Sequence, residues 1–235
     1  MHVEERAEMH FYPLGDAAVV VEFDTVIGPA SHEQVRLLSL YLDHHPIPGM
    51  IEYIPAFTTV TVFYDPVAMR YAEAQAKLER AVAQTAEMRL DKKVRTVEIP
   101  VCYGGAFGPD LEDVAAHNRL TADEVVRIHS SAEYLVYMIG FAPGFPYLGG
   151  MPERIATPRR SSPRLAIPAG SVGIAGMQTG VYPIVTPGGW QLIGRTPVPL
   201  FRPDMTPPTL LRAGDTIRFV PISEKEYEAW EGEPI

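Results

Sequence analysis

The segment IPAGSVGIAGMQTGVYP at residues 167–183 limits the type of fold that the second half of the chain can adopt. It places short apolar pieces, such as residues 172–175, between glycines and prolines. The same pattern of short apolar pieces separated by glycine and proline extends in both directions, since thirteen of the 23 prolines and eleven of the 19 glycines fall between residues 140 and 209. Proline removes a backbone donor and glycine costs backbone entropy, which excludes long helices here. Many short strands with frequent turns predict a β-barrel or a β-sandwich.

The first ninety residues instead alternate strands and helices. The run AAVVVEF at residues 17–23 predicts a buried strand, and Gly28-Pro29 opens a helix that Pro46 stops. Two further strands are predicted at 50–54 and 58–64, then a helix at 67–90 and a strand at 94–101. The order β-α-β-β-α-β is typical of a split-βαβ, ferredoxin-like unit.

The residues between these two regions predict a pair of short helices. The first follows Gly108-Pro109, and the second begins with a capping box in which Thr121 is the N-cap and Glu124 bonds back to it. A strand at 134–141, a last strand at 216–221 and a terminal helix at 224–230 complete the pattern. We therefore predict an α+β protein with an N-terminal α/β domain at residues 1–92 and a C-terminal β-barrel domain at residues 93–235.

Composition excludes several classes of protein. The net charge of −9 argues against a general nucleic-acid binder, which would carry a basic surface. No apolar run approaches the roughly 20 residues of a membrane helix, and the polar N-terminus lacks the apolar stretch of a secretory signal. A single cysteine, Cys102, allows neither an intrachain disulfide nor a cysteine-built zinc site, and its apolar surroundings predict a core position. We expect a cytoplasmic protein that binds neither membranes nor nucleic acids.

The charge is unevenly distributed along the chain. Residues 140–213 carry seven arginines, no lysine and two acids, so this segment is about +5 and the remainder about −14. The planar guanidinium group suits carboxylates and phosphates. The segment is therefore either a set of scattered surface arginines or a site for an anionic ligand.

Common catalytic and cofactor motifs are missing from the sequence. The glycine-rich run at 170–176 has neither the Gly-Lys-Ser/Thr of a Walker loop nor the spacing of a dinucleotide fold. The histidines lack metal-ligand spacing, and we predict no metal site. The helix pair is spaced like a helix-turn-helix, but its second helix offers only Arg127 as a base. No triad or carboxylate pair is visible, so the sequence leaves the catalytic residues unknown.

The densest signal is a series of rigid turns rich in aromatic residues. The motifs are GFAPGFPYL at 140–148 and TPGGWQLIGRTP at 186–197, with Pro158-Arg159-Arg160 and Pro163-Arg164 between them. Prolines fix the shape of loops, and aromatic rings supply flat apolar walls. Together they predict a preformed surface, either a ligand pocket or a partner interface.

These motifs resemble the family of 5-oxoprolinase B subunits. That family includes the sporulation kinase A inhibitor and is related to the first subunit of allophanate hydrolase. The stretches that carry the resemblance are PVCYGGAFGPDLEDVA at 100–115, IGFAPGFPYLGG at 139–150, the segment at 167–183 and the motif at 186–197. LGDAAVVVEF at 14–23 fits more loosely.

The resemblance implies that the C-terminal barrel is cyclophilin-like. It also implies an ATP-dependent cyclic-amide hydrolase that converts 5-oxo-L-proline to L-glutamate together with two partners, a homologous C subunit and a separate A subunit. The chain is then expected to be inactive alone, with ATP as co-substrate together with Mg²⁺. Two alternatives stay open, a regulator that binds and inhibits a sporulation-type histidine kinase and a cyclophilin-like peptide-binding or isomerase module.

The candidate site residues come from these motifs. The ligand-binding candidates are Arg159, Arg160, Arg164, Ser171, Gln178 and Tyr182. The residues expected to shape the site are Phe141, Pro143, Gly144, Phe145, Tyr147, Gly188, Gly189 and Trp190. Polar support is expected from Tyr103, Asp110 and His129.

Overall fold

A computed structural model describes residues 9–86, 88–89 and 95–230 of the chain. The chain divides into two compact units, Met1–Lys93 and Val94–Ile235. The domain boundary predicted between residues 92 and 93 lies outside the described residues. Within the described part the protein combines helices with strands, one closed β-barrel and smaller sheets, which confirms the predicted α+β class.

The first unit contains four strands and two helices. In chain order these are β1 (His10–Pro13), β2 (Ala18–Glu22), α1 (Pro29–His44), β3 (Met50–Pro55), β4 (Thr59–Tyr64) and α2 (Tyr71–Thr85). Helix α2 begins later than predicted because Asp65 forms a turn: its carboxylate accepts the backbone N–H of Val67, and its carbonyl accepts those of Ala68 and Met69. The end predicted at residue 90 is outside the described residues.

The sheet of this unit corrects one prediction. Its strand order is β1-β2-β4-β3, with all neighbours antiparallel. The strand predicted at 94–101 as the last member of a ferredoxin-like sheet does not join it, because Thr96–Tyr103 is a strand of the barrel of the second unit. Its expected place beside β2 is taken by β1, a short and mostly exposed strand that the sequence analysis missed.

The core of the first unit explains why buried and partly exposed residues alternate along its strand β4. Val60, Val62 and Tyr64 of β4 are buried, while the residues between them are partly exposed, as a strand with one covered face requires. Val35 and Leu38 of α1 and residues of α2 pack in the same apolar cluster. The helices therefore supply the apolar cover of the sheet.

The second unit contains the remaining elements. In chain order these are β5 (Thr96–Tyr103), α3 (Leu111–Asn118), α4 (Ala122–Ser131), β6 (Glu133–Ile139), β7 (Pro146–Gly149), β8 (Arg164–Ile167), β9 (Ser171–Ala175), β10 (Gln178–Val181), β11 (Thr186–Gly188), β12 (Gln191–Arg195), β13 (Thr216–Pro221) and α5 (Glu224–Glu228).

Seven of these strands close a barrel in the order β10-β7-β6-β13-β5-β12-β9. The closure confirms the β-barrel predicted from the short strands and frequent turns. Cys102 on β5 is buried in its wall, in agreement with the predicted core position, and burial raises the pKa of its thiol. Strands β8 and β11 form a separate two-stranded ribbon, which brings Arg164 opposite Gly188.

Two short helices pack on the barrel before β6. Helix α3 contacts β12, and helix α4 contacts β13. The capping box predicted for α4 is present, with Thr121 accepting the backbone N–H of Glu124 and the Glu124 carboxylate accepting that of Thr121. Within the described ranges, no helix has the length and apolar character needed to cross a bilayer.

Candidate functional site

The centre of the candidate site is the carboxylate of Asp110. Asp110 immediately precedes α3, but its side chain does not cap that helix. One of its oxygens, Oδ1, accepts hydrogen bonds from Arg160 Nη1 and Arg164 Nη2, both at 2.7 Å, and Oδ2 accepts the backbone N–H of Leu192 at 2.7 Å. The carboxylate is almost fully buried, at 2% exposure. Two guanidinium groups therefore share one buried negative charge, which leaves the cluster with a net charge of +1.

The backbone around this carboxylate explains why it is held so closely. Gly108 lies against the carbonyl of Ile193, where any Cβ would clash with the backbone. The N–H of Asp110 donates to the carbonyl of Leu192 at 2.9 Å, so the start of α3 is bonded directly to β12. Asp110 therefore fixes both arginines against strand β12 of the barrel.

The two arginines are held from the other side by the glycine pair of the 186–197 motif. The backbone N–H of Arg160 donates to the carbonyl of Gly189 at 2.8 Å, and Arg164 pairs with Gly188 between β8 and β11. A Cβ at Gly188 would lie 2.6 Å from the hydroxyl oxygen of Tyr182, so only glycine fits there without a shift of its neighbours. At Gly189 the nearest atom would be 3.7 Å away, which is ordinary contact.

A cluster of aromatic rings forms the apolar wall beside the arginines. Phe145 is at its centre, with ring centroids 5.4 Å from Tyr182, 5.6 Å from Trp190 and 5.2 Å from Tyr147, all in edge-to-face geometry. Such edge-to-face pairs are the preferred arrangement of aromatic quadrupoles. Burial raises the pKa of Tyr182 to about 12, although the Trp190 backbone N–H and the nearby charges of Arg159 and Arg164 act in the opposite direction.

The loop that leads to Phe145 exposes one further aromatic residue. Phe141 is 64% exposed and has a positive φ of 64°, while its ring contacts Phe145 edge-to-face at 5.4 Å. Pro143 and Gly144 lie in the turn between the two rings, and Gly144 has a φ of 82°. Four of the predicted site-shaping residues thus contact Tyr182 or the arginines directly, namely Phe145, Gly188, Gly189 and Trp190. Tyr147 contacts the ring of Phe145, Gly144 lies against Leu200 and Phe201, and Phe141 and Pro143 form the outer part of the loop.

A shallow cleft of about 360 Å³ opens beside Arg160. Its walls come from residues 157–161, from α3 and from β12. The lining residues are Asp113, His117, Thr157, Pro158, Arg159, Arg160, Ser161 and Gln191. Three buried polar atoms in this neighbourhood have no hydrogen-bond partner among the described residues, namely Arg160 Nε, Arg164 Nη1 and Gln191 Oε1. Such atoms destabilise a protein unless a further group pairs with them.

Several lining residues of this cleft are absent from the predicted site, and Gln191 is the one among them with an unpartnered buried atom. It directly follows Trp190 in the motif at 186–197, and it begins β12, next to the Leu192 N–H that bonds Asp110. Its polar side chain at the start of an otherwise buried strand could have indicated that it leaves the barrel wall. Nothing in the sequence, however, placed it beside Pro158 and Arg160.

Two predicted supporting residues lie inside the barrel instead. The Tyr103 hydroxyl is 2.8 Å from His129 Nδ1, and His129 Nε2 is 2.9 Å from Thr179 Oγ1. Because the Thr179 hydroxyl donates to the carbonyl of Gly173, it accepts from His129, which places the imidazole proton on Nε2. His129 is fully buried, and burial lowers its pKa to about 3. The imidazole is therefore a neutral link across the barrel core.

The last two ligand-binding candidates are in the wall of the barrel. Ser171 begins β9 and pairs with Arg195 of β12, and Gln178 begins β10 and pairs with Ala175. No described contact joins either side chain to Asp110 or its arginines. Of the predicted ligand-binding residues, the structure therefore brings together Arg159, Arg160, Arg164 and Tyr182.

A second cleft, of about 440 Å³, lies in the first unit between α1 and α2. Tyr41 and His45 stack there with centroids 4.5 Å apart, and Lys77 and Arg80 add positive charge. None of its lining residues has a buried polar atom without a partner. The cleft beside Arg160 is therefore the better candidate for a polar ligand.

Comparison with known proteins gives a consistent result. Residues 9–211 match the family described as "Carboxyltransferase domain, subdomain C and D". The protein named as the 5-oxoprolinase B subunit of Bacillus subtilis is 55% identical, over 94% of this chain and 95% of its own length. Its namesake from Escherichia coli O157:H7 is 48% identical, over 91% of this chain and 96% of its own. The solved structure titled TTHA0988 is 33% identical with a TM-score of 0.77, over 88% of this chain and 40% of that chain.

Proposed function

This chain belongs to the family of 5-oxoprolinase B subunits within the carboxyltransferase-domain proteins, and on that premise we propose that it is one component of an ATP-dependent enzyme that opens 5-oxo-L-proline to L-glutamate. The resemblance inferred from the four motifs is thereby confirmed. The two relatives that are 55% and 48% identical to this chain are named for the oxoprolinase, and the kinase-inhibitor alternative is not favoured by them.

The observation that carries this proposal is the pair of arginines on one buried carboxylate. Asp110 neutralises only one of the two guanidinium charges, and the exposed Arg159 adds a third positive charge in the adjoining cleft. A site with excess positive charge, unpaired N–H donors and a rigid aromatic wall suits a small anionic substrate. 5-Oxoproline carries a carboxylate, and its product carries two.

The chemistry gives a reason for the ATP requirement. A five-membered lactam is an unreactive amide, and phosphorylation of its oxygen makes the carbonyl carbon a better target for water. Preorganised arginines and backbone N–H groups stabilise the charge on transferring phosphates. We propose ATP, accompanied by Mg²⁺, as co-substrate of the assembled enzyme.

The site supports a requirement for partner proteins. Both oxygens of Asp110 already accept hydrogen bonds, so this carboxylate is not free to act as a general base. His129 is also unavailable as a general base, since both of its ring nitrogens are hydrogen-bonded inside the barrel. We propose that a homologous C subunit and a separate A subunit supply the missing groups, and that this chain is inactive alone.

The types of the two folds, the domain boundary and the cellular location are also proposals. We propose a cyclophilin-like type for the barrel and, for the first unit, a variant of the ferredoxin-like arrangement in which β1 stands in for the missing last strand. The domain boundary at residues 92 and 93 and the cytoplasmic location also stay predictions. Ser171 and Gln178 are retained as ligand-binding candidates only in the assembled enzyme.

The proposal is tested by reconstitution. We expect 5-oxoproline-dependent ATP hydrolysis only when this chain is mixed with its two cognate partner proteins. Arg164→Ala should lower kcat/KM by at least tenfold, because it removes one of the two cations on Asp110. Arg154→Ala is the matched control, since Arg154 belongs to the same arginine-rich segment but is 62% exposed and faces Glu124 at 4.0 Å. No turnover in the mixture, or equal effects of the two substitutions, would count against the proposal.

A further inference from the structure

Two of the unpartnered buried atoms are of opposite kinds and belong to residues that line the same cleft. Gln191 Oε1 is a hydrogen-bond acceptor and Arg160 Nε is a hydrogen-bond donor, and both residues line the cleft beside α3. A buried donor or acceptor without a partner costs roughly 1–3 kcal/mol. A ligand that offers one donor and one acceptor on the same edge carries the groups that are complementary to these two atoms.

The orientation of the Gln191 amide is fixed by its other bond. Its Nε2 donates to the carbonyl oxygen of Pro158 at 3.0 Å, and a carbonyl can only accept. The remaining amide atom is therefore the oxygen, which makes Oε1 an acceptor. Pro158 restrains the loop on the other side of this bond because its ring fixes one backbone dihedral.

Arg160 is fixed in a comparable way. Its Nη1 is committed to Asp110 at 2.7 Å, and the second oxygen of Asp110 bonds the N–H of Leu192, the residue after Gln191. Arg160 and Gln191 are thus joined through one buried carboxylate and one peptide unit. The donor and the acceptor are held by the same short network, so their relative position is preorganised before any ligand binds.

The edge of a lactam matches this pair of atoms. An ordinary secondary amide is trans, so its N–H and C=O point in opposite directions. A five-membered ring forces the amide into the cis form, and its N–H and C=O then lie on one edge. Opening the ring to glutamate destroys this edge, because the nitrogen becomes a separate ammonium group.

We propose that this cleft binds the lactam edge of the substrate, with Gln191 Oε1 accepting the ring N–H and Arg160 Nε donating to the ring carbonyl. The proposal rests on the oxoprolinase function and adds to it the residues that distinguish a cyclic cis-amide from peptides and from the product. Arg159 lines the same cleft, and no described ion pair occupies its guanidinium, so it is placed to bind the substrate carboxylate. The volume of about 360 Å³ is at the small end of ligand sites, which suits a substrate of this size.

The test removes the same hydrogen bond from the ligand and from the protein. The ligand probe is 5-oxotetrahydrofuran-2-carboxylate, in which the ring N–H is replaced by oxygen. Its inhibition constant is compared with the KM for 5-oxoproline in the reconstituted enzyme. With the unmodified chain we expect the lactone to bind at least tenfold more weakly than the lactam, as one lost bond to a buried acceptor requires.

Gln191→Met removes the acceptor and keeps the length of the side chain. We expect it to weaken lactam binding at least tenfold, to leave lactone binding within about threefold, and so to abolish the discrimination between the two. Gln34→Met, on the exposed surface of α1, is the control for this change of residue type and should keep the full discrimination. The inference is wrong if Gln191→Met discriminates as well as the unmodified chain does.

A second variant covers the case in which Gln191→Met does not fold. Gln191→Glu retains an acceptor toward the cleft, so the folded variant should still prefer the lactam. Loss of the preference in this variant would also overturn the inference. If the unmodified mixture shows no 5-oxoproline-dependent ATP hydrolysis, the proposed function itself fails; turnover without the expected pattern at Gln191 refutes only the assignment of the lactam edge.

Discussion

Replacing Asp110 with alanine should destabilise the second unit more than any single change at its arginines. The substitution leaves Arg160 and Arg164 without the negative charge that they share, and it leaves the Leu192 N–H without its acceptor. Both guanidinium nitrogens are 2.7 Å from the same oxygen, so they are at most about 5.4 Å apart. Their repulsion, no longer compensated, opposes folding.

The expected loss follows from these distances. At an effective dielectric constant of about 20, two unit charges about 5.4 Å apart repel by roughly 3 kcal/mol. The orphaned backbone N–H adds a cost of roughly 1–3 kcal/mol. The arginine side chains are 32% and 25% exposed, so solvent reduces the first contribution. We expect a total loss of about 3–4 kcal/mol, within the range known for breaking a buried ion pair.

Urea unfolding followed by tryptophan fluorescence measures this loss. The chain has two tryptophans, Trp190 and Trp230, and both belong to the second unit, so the signal reports that unit alone. Arg164→Met should cost less, about 1–2 kcal/mol, because it also removes the repulsion between the two cations. Glu112→Ala removes an exposed acid from the first turn of α3, two residues after Asp110, and is the control; it should cost under about 1 kcal/mol.

Two outcomes would refute this reasoning. One is an Asp110→Ala loss no greater than that of the Glu112→Ala control. The other is a loss that stays the same in high salt, since repulsion between partly exposed arginines is screened by ions.

Three further predictions concern the surroundings of the site. Gly188→Ala should lower the free energy of unfolding by about 1–3 kcal/mol and reduce turnover, because its Cβ would lie 2.6 Å from the buried hydroxyl of Tyr182. Gly189→Ala should change stability and turnover little, since the nearest atom to its Cβ would be 3.7 Å away. Equal urea midpoints for the two variants would contradict the packing argument. Phe145→Ala should cost about 3–5 kcal/mol and Phe141→Ala under about 1 kcal/mol, measured by the same unfolding assay, because only the first ring is buried. The pKa of His129 is about 3 in the folded state and 6.5 in the unfolded state, so the unfolded chain binds the proton first as the pH falls. The free energy of unfolding should therefore decrease by up to about 1.4 kcal/mol per pH unit below pH 6.5. His129→Gln should flatten that dependence between about pH 7 and pH 5, and an unchanged slope would show that other groups cause it.

Much of the fold could be predicted because its signals are local. The spacing of glycine and proline after residue 140 excludes long helices, and the capping box at Thr121 fixes the start of α4. Strand β5 shows the limit of such signals. Its sequence correctly indicated a strand, but a strand pattern does not identify the sheet that it joins, since pairing partners are chosen by burial across the whole domain.

The site was predicted by residue type but not by geometry. Arginines between prolines, beside aromatic residues and a glycine pair, indicated a shaped and positively charged surface, and the family was identifiable from the same motifs. The grouping within that surface was beyond the sequence. The sequence predicts Ser171 and Arg164 equally as ligand-binding residues. Of these two, only Arg164 bonds Asp110, which lies 54 positions earlier in the chain.

The sequence by itself therefore determined the class of fold, the family and the positive character of the C-terminal half, because composition and motif spacing are local properties of the chain. Only the tertiary structure decided that one buried carboxylate binds two arginines, that Tyr103 and His129 belong to the barrel core, and that Gln191 lies beside Arg160. These relations join residues from distant strands and loops. They depend on which strands pair and where a low-polarity interior leaves a polar atom without a partner, and neither is encoded in any short stretch of residues.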